Sequence, residues 1–146
     1  MLALTASPST FDFGTNVTGD IYFVSDWGSF PEAGWNDFPV IVINWWLEGL
    51  ARLDDATSSS ELLSFMDGPY SIRADLRSDY EVDLTYLHRD RVVGRAAPIP
   101  LQTLIDLVRA AGLSAVVACD KAGWSSQDLM SLRRRLLPRQ DADLST

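Results

Sequence analysis

The chain has 146 residues, of which 47% are hydrophobic and 22% are charged, and its formal net charge is −8. This length and composition are typical of a globular protein with its own hydrophobic core, so we expect a single domain over residues 1–146. The acidic charge argues against a nucleic-acid-binding protein and favours a soluble protein whose partner is basic. No apolar run approaches the roughly 20 residues of a membrane span, and the first ten residues lack the basic start of a signal peptide. We therefore expect a cytoplasmic protein with no nucleic-acid partner and no membrane partner.

The charge and the aromatic residues are distributed unevenly along the chain. Residues 1–72 contain ten acidic side chains and one basic side chain, whereas residues 73–146 contain ten and eleven. Ten of the fifteen aromatic residues also lie in the first half before residue 47. The excess negative charge therefore belongs to the first half of the chain.

The chain begins with a predicted β-hairpin. Phe11 and Phe13 alternate with polar neighbours, which predicts a strand at about residues 9–15. The short apolar run at residues 21–24 predicts a second strand at about residues 20–25.

Residues 25–37 form a predicted loop that is rich in aromatic and acidic side chains, because two glycines and one proline interrupt any regular element. One interpretation is that the aromatic side chains fold back as a lid over the core, since exposed aromatic clusters are uncommon in monomers. The other is a contact surface, since aromatic residues are enriched in interface hot spots. The predicted partner-binding residues of this loop are Asp26, Trp27, Glu32, Trp35 and Asp37.

The next stretch is the most apolar part of the sequence and predicts a helix over residues 38–53. Asp37 is its expected N-cap, and Pro39 lies in the first turn, where its missing N–H costs nothing. The β-branched run at residues 40–43 also fits a buried strand, which is the competing interpretation. The helical face is formed by Ile43, Trp46, Leu47 and Leu50.

Four further strands follow, and together they predict an antiparallel meander that is covered on one face. We expect them at residues 61–66, 70–76, 79–87 and 91–96. A three-residue turn would place Leu76 opposite Tyr80, and Arg73 opposite Asp83. Alternation directs Tyr80, Val82, Leu84 and Tyr86 inward, and Asp79, Glu81, Asp83 and Thr85 outward. The three acidic side chains form either a solvated face or a second partner-binding surface.

The C-terminal third predicts helices. A helix begins at Leu101, Gly112 interrupts or ends it, and a second helical piece covers residues 113–119. Ser125 has the spacing of a capping box for a last helix that ends near Pro138, followed by a frayed tail at residues 139–146. The predicted fold is therefore α+β: an antiparallel β-sheet meander of about six strands, one helix inserted after the first hairpin and two C-terminal helices packed on it.

No catalytic or cofactor motif is recognisable. The only histidine, His88, lies in a predicted turn, and the only cysteine, Cys119, is an expected buried residue. Neither a phosphate-binding glycine loop nor a thiolate metal cluster is encoded. We therefore expect no enzymatic activity, no cofactor and no metal.

Three segments resemble a known class of proteins. They are Phe30-Pro31-Glu32 leading into residues 34–39, the helical segment Asn44-Trp45-Trp46-Leu47-Glu48, and the turn at residues 65–70. Together they resemble small bacterial immunity proteins of contact-dependent inhibition and related polymorphic toxin systems, over about residues 27–76. The resemblance implies a protein that binds the C-terminal domain of a cognate toxin, often a basic nuclease, and neutralises it without catalytic residues of its own. The alternative is a non-catalytic adaptor or secretion-chaperone-like interaction module.

Overall fold

The computed structural model describes residues 1–137 and has an α+β fold of eight strands and three helices. The strands are β1 (Ala3–Phe13), β2 (Val17–Ser25), β3 (Gly28–Phe30), β4 (Asn36–Asp37), β5 (Ser60–Ser64), β6 (Tyr70–Leu76), β7 (Glu81–His88) and β8 (Arg91–Pro100). The helices are α1 (Pro39–Asp54), α2 (Leu101–Ala122) and α3 (Gln127–Leu136). The predicted class, the helix after the first hairpin and the two C-terminal helices are confirmed. The predicted frayed tail at residues 139–146 lies outside the described residues.

The strands form two antiparallel four-stranded sheets rather than one continuous meander. Sheet A consists of β1 to β4. Strands β3 and β4 lie within the segment that was predicted as a loop, and both pair with β2. Sheet B consists of β5, β6, β7 and β8 in that order. The six predicted strands are therefore all present, but the first two belong to a different sheet from the other four.

Helix α1 packs against both sheets and contributes to the core between them. Trp46 is fully buried, its ring lies 5.3 Å from Phe23 of sheet A and 5.2 Å from Phe65 beside β5, and its Nε1–H donates to the Ser64 carbonyl. Residues 40–43 are helical, so the competing strand interpretation is wrong. Asp37 is not the N-cap: Phe38 occupies that position, and no side chain caps the helix.

Aromatic side chains join the two sheets directly. Phe30 of β3 stacks on Tyr86 of β7 at a ring separation of 4.5 Å, and the Tyr86 hydroxyl lies 3.1 Å from Ser25 Oγ at the end of β2. Phe30 is only 1% exposed. The lid interpretation of the segment 25–37 is therefore confirmed for Phe30.

The register of the β6–β7 pair differs from the prediction by two residues. Five residues, 77 to 81, separate the paired residues Leu76 and Val82 instead of the predicted three, and Arg73 pairs with Thr85 rather than with Asp83. Tyr80 consequently lies in the turn and is 63% exposed, although it was predicted to face inward. Thr85 was predicted to face outward but is buried, because Arg73 and Arg95 flank it on the neighbouring strands and long side-chain stems cover small neighbours.

The C-terminal helices differ from the prediction in two details. Helix α2 continues through Gly112, because the missing side chain lets Leu136 of α3 and Ile43 of α1 approach the helix closely. Helix α3 is capped by Ser126, whose hydroxyl accepts from Leu129 N at 3.0 Å, and not by Ser125. Residue His88, predicted in a turn, is the last residue of β7 and stacks on Tyr70 at 4.5 Å.

Candidate partner-binding surface

The structure separates the five predicted residues of the segment 25–37 into buried and exposed groups. Asp37 is only 1% exposed. Its carboxylate accepts hydrogen bonds from Trp35 Nε1, Phe38 N, Met66 N and Asp67 N at 2.8 to 3.2 Å. Both oxygens of Asp37 are used inside the fold, so the carboxylate is not accessible to a partner in this structure, and its role in partner binding stays a prediction.

Trp35 packs mainly against other residues of the fold. Its ring is half-buried, lies 5.1 Å from the ring of Tyr70 and covers Gly68 in the β5–β6 turn. Glu32 is exposed and accepts a backbone hydrogen bond from Trp35 through its carbonyl oxygen. The Glu32 carboxylate makes no part of that hydrogen bond and remains accessible to a partner.

Asp26 and Trp27 form an exposed corner at the β2–β3 turn. The Asp26 side chain is 94% exposed and lies 3.6 Å from the amino group of Met1. Trp27 is 43% exposed, and its inner side rests on Tyr86 at 5.0 Å and on Gly94 of β8, where a side chain would collide with the indole. Trp27 is therefore an aromatic side chain that is held in place and still presents a large apolar area.

An apolar cleft of about 320 Å³ adjoins this corner. It is bounded on one side by Asp26 and the N-terminus and on the other by the end of β8 and the start of α2. The lining residues are Met1, Leu2, Ser25, Asp26, Ala96, Ala97, Pro98, Ile99, Thr103 and Leu107.

A second cleft, of about 510 Å³, lies at the β6–β7 turn. Its lining contains three carboxylates, from Asp54, Asp79 and Glu81, together with the exposed Tyr80, whose φ is +61°. The remaining lining residues are Pro100, Leu101 and Gln102. The structure thus brings two of the three acidic residues predicted on this strand together with two residues that the sequence did not indicate, Asp54 and Tyr80.

Asp83, the third acidic residue of the strand, lies outside this cleft. Arg77 approaches it at 3.7 Å and approaches Asp79 at 3.5 Å. All three side chains are about half exposed, so these ion pairs are weak and leave the carboxylates accessible.

Consecutive stretches of the β8–α2 junction line the two clefts: residues 96–99 and 103 line the first, and residues 100–102 line the second. We call the accessible acidic and aromatic residues at and beside these two clefts the junction surface. They are Asp26, Trp27, Asp54, Asp79, Tyr80 and Glu81. Glu81 is half-buried and the others are exposed. Carboxylates of this kind accept hydrogen bonds from arginine and lysine, and the two aromatic residues can anchor a protein partner.

Among residues 1–137, no group of three or more His, Cys, Asp or Glu side chains is arranged to hold a metal ion. Burial raises the pKa of the Cys119 thiol to about 11, which keeps it in the unreactive protonated form. Every buried side-chain polar atom of the described residues has a hydrogen-bond partner.

Comparisons of the chain with protein-family models, with curated proteins and with solved structures find no match. The resemblance to immunity proteins therefore stays a prediction from the sequence. Within the described residues, α2 alone is long and apolar enough to cross a membrane, by length and composition only.

Proposed function

We propose that this protein is a bacterial immunity protein that binds and neutralises the C-terminal toxin domain of a cognate interbacterial toxin. The toxin domain is a basic nuclease, and the immunity protein blocks its active site or its substrate groove. The observation that carries the proposal is the junction surface, which combines four carboxylates with two exposed aromatic side chains.

The charge of the molecule supports this choice of partner. A net charge of −8 attracts a basic domain over distances of several ångströms and raises the association rate. The same charge opposes binding to nucleic acid directly. An acidic protein that occupies a nuclease groove imitates the charge of the substrate, so affinity and inhibition have the same physical origin.

The exposed aromatic residues account for slow dissociation. Trp27 already rests on Tyr86 and Gly94, so its burial by a partner costs little side-chain entropy. Tyr80 projects from the β6–β7 turn between Asp79 and Glu81. Anchors of this type, surrounded by polar residues that exclude water, are typical of tight interfaces.

A survival assay tests the proposal with matched variants. Bacterial cells that express the toxin domain should survive when the wild-type protein is co-expressed. The triple reversal Asp54→Lys, Asp79→Lys and Glu81→Lys should weaken toxin binding by well over tenfold and reduce survival, because like charges then face each other. The control reverses Asp12, Asp67 and Asp90, which are exposed elsewhere and change the net charge equally.

Two results would count against the proposal. If the control reversal at Asp12, Asp67 and Asp90 abolishes survival as completely as the reversal at Asp54, Asp79 and Glu81, then only the net charge matters for binding. Toxin binding that leaves the toxin active would favour the adaptor or secretion-chaperone interpretation. Thermal denaturation of both variants separates a loss of binding from a loss of folding.

A further inference from the structure

We propose that two copies of this chain associate through the outer face of α2, with the two helices antiparallel and the two-fold axis between Leu113 and Ser114. This inference goes beyond the proposed function and does not depend on it. The contact begins at Asp106, one helical turn after Gln102 of the second cleft, and extends to Lys121.

The middle of α2 exposes more apolar surface than a soluble helix needs. Leu113 is 49% exposed and Val117 is 51% exposed, and they lie one turn apart on the same face. Ala110 and Ser114 are exposed beside them. Only 39% of the most apolar 18-residue stretch of α2 is buried, although its opposite face packs on α1 and α3. Exposed apolar patches of this kind mark association sites.

The patch is concave rather than flat. A groove of about 710 Å³ lies between α2 and the first strand. Its walls are formed by Pro8, Ser9 and Phe13 of β1 and by Ala110, Leu113, Ser114, Val117, Ala118, Lys121 and Ala122 of α2. Small residues on the helix let a second backbone approach closely, and the groove gives room for the larger side chains of that second helix.

The charges at the two ends of the patch identify the occupant as a second copy. On the exposed face, Asp106 lies at one end of the apolar patch and Lys121 at the other, while Asp120 beside Lys121 is paired with Arg133 of α3 at 2.6 Å. In an antiparallel pair Asp106 of each copy faces Lys121 of the other, Ala110 faces Val117, and Leu113 faces Ser114. A parallel pair would instead bring Asp106 beside Asp106 and Lys121 beside Lys121. The opposite end charges therefore favour one register of self-association, an isologous contact with two-fold symmetry.

The net charge of −8 on each copy opposes this association. Near physiological ionic strength the Debye length is about 8 Å, so charges elsewhere on the surface are largely screened while the two Asp106–Lys121 pairs stay close. A basic partner gains little from this patch, because its middle, Ala110, Leu113, Ser114 and Val117, carries no charge and Asp120 is already paired with Arg133.

Sedimentation velocity at protein concentrations from about 1 to 100 μM should show a concentration-dependent dimer. Val117→Glu should weaken the dimer at least tenfold, because it introduces a charge into the apolar contact. Met130→Glu is the matched control, since Met130 is equally exposed on α3 but outside the contact, and it should leave the dimer unchanged. Asp106→Lys or Lys121→Asp alone should weaken the dimer several-fold, and the double reversal should restore it.

Zero-length cross-linking tests the register independently. Lys121 is the only lysine of the chain, and on one helix it lies about 22 Å from Asp106, too far for an amide bond within one copy. A carbodiimide should therefore join Lys121 to Asp106 only between two copies, and peptide mass spectrometry identifies that product. A monomer at every concentration, or a dimer that Val117→Glu leaves intact, would overturn the proposal.

Discussion

Asp37 is buried where β4, the start of α1 and the β5–β6 turn meet, and its carboxylate accepts four hydrogen bonds from N–H groups. We predict that Asp37→Ala lowers the free energy of unfolding by about 3 kcal/mol, because it leaves these donors unpaired in the interior. Urea denaturation measures this change. Glu32→Ala, an exposed neighbour in the same segment, should change the stability by less than about 0.5 kcal/mol. Equal effects of the two substitutions would refute a structural role for Asp37.

The absence of a side chain at Gly94 leaves the space that the Trp27 indole occupies, although the two residues are far apart in the sequence. A methyl group at position 94 would overlap the Trp27 indole, so Gly94→Ala should push the ring out of its seat on Tyr86. We predict that toxin affinity then falls about tenfold, as for Trp27→Ala, because the anchor is no longer held in place. Calorimetry measures the affinity, and near-ultraviolet circular dichroism reports the displaced ring. Gly14→Ala, which meets no close atoms, is the control; an unchanged affinity of Gly94→Ala would exclude Trp27 as a fixed anchor.

Cys119 offers a chemical measure of folding. Its thiol is fully buried, and burial raises its pKa to about 11, so the thiolate that reacts with iodoacetamide is scarce at pH 8. We predict almost no alkylation of the native protein at pH 8 and rapid alkylation in urea, where the pKa returns to its ordinary value. Mass spectrometry follows the modification; rapid native alkylation would mean that α2 opens readily.

The burial of individual aromatic residues could not be predicted from the sequence. Trp27, Phe30 and Trp35 share one segment and one composition, yet they end exposed, buried and half-buried. The difference arises from Tyr86, Tyr70 and Gly94, which lie more than 30 residues away in the chain. Local patterns carry no information on such contacts.

At the level of elements, the start of α3 provides a prediction with a control one residue away. Ser126 accepts from Leu129 N and occupies the N-cap position. Ser126→Ala should therefore lower the free energy of unfolding by about 1 kcal/mol, whereas Ser125→Ala should change it little. Thermal denaturation of the two variants measures the difference. A larger loss of stability for Ser125→Ala than for Ser126→Ala would place the N-cap at Ser125, where the sequence pattern predicted it.

Elements with a clear period were predictable, and short or interrupted ones were not. Strict alternation gave β6 its observed bounds, Tyr70–Leu76. In contrast, β3 and β4 have three and two residues, too few for a pattern, and exist only because β2 offers its free edge. Gly112 has low helix propensity, yet α2 continues through it because close packing of three helices outweighs a cost of about 1 kcal/mol.

At the scale of the whole molecule, the junction surface is a product of topology. Asp26 lies in the β2–β3 turn of sheet A, whereas Asp79 lies in the β6–β7 turn of sheet B and Glu81 begins β7, and they are about 50 residues apart in the sequence. The end of β8 and the start of α2 pass between their two clefts. The sequence identified most of the acidic residues but not that Asp54 and Tyr80 accompany them. The connection that exposes Tyr80 was predicted two residues too short.

The net charge predicts how binding responds to salt. If the acidic surface attracts a basic toxin domain, the association rate should fall at least tenfold between about 0.05 and 0.5 M salt, while the dissociation rate changes little. Surface plasmon resonance separates the two rates. The triple reversal at Asp54, Asp79 and Glu81 should show a weaker salt dependence; an association rate insensitive to salt would argue against a basic partner.

The most direct test of the proposed function is a calorimetric titration of this protein with the C-terminal domain of whichever large protein is encoded immediately upstream. We predict one toxin domain bound per chain with a dissociation constant in the nanomolar range or below, and loss of toxicity in the same mixture. An absence of binding at micromolar concentrations, or tight binding with toxicity intact, would contradict the immunity function.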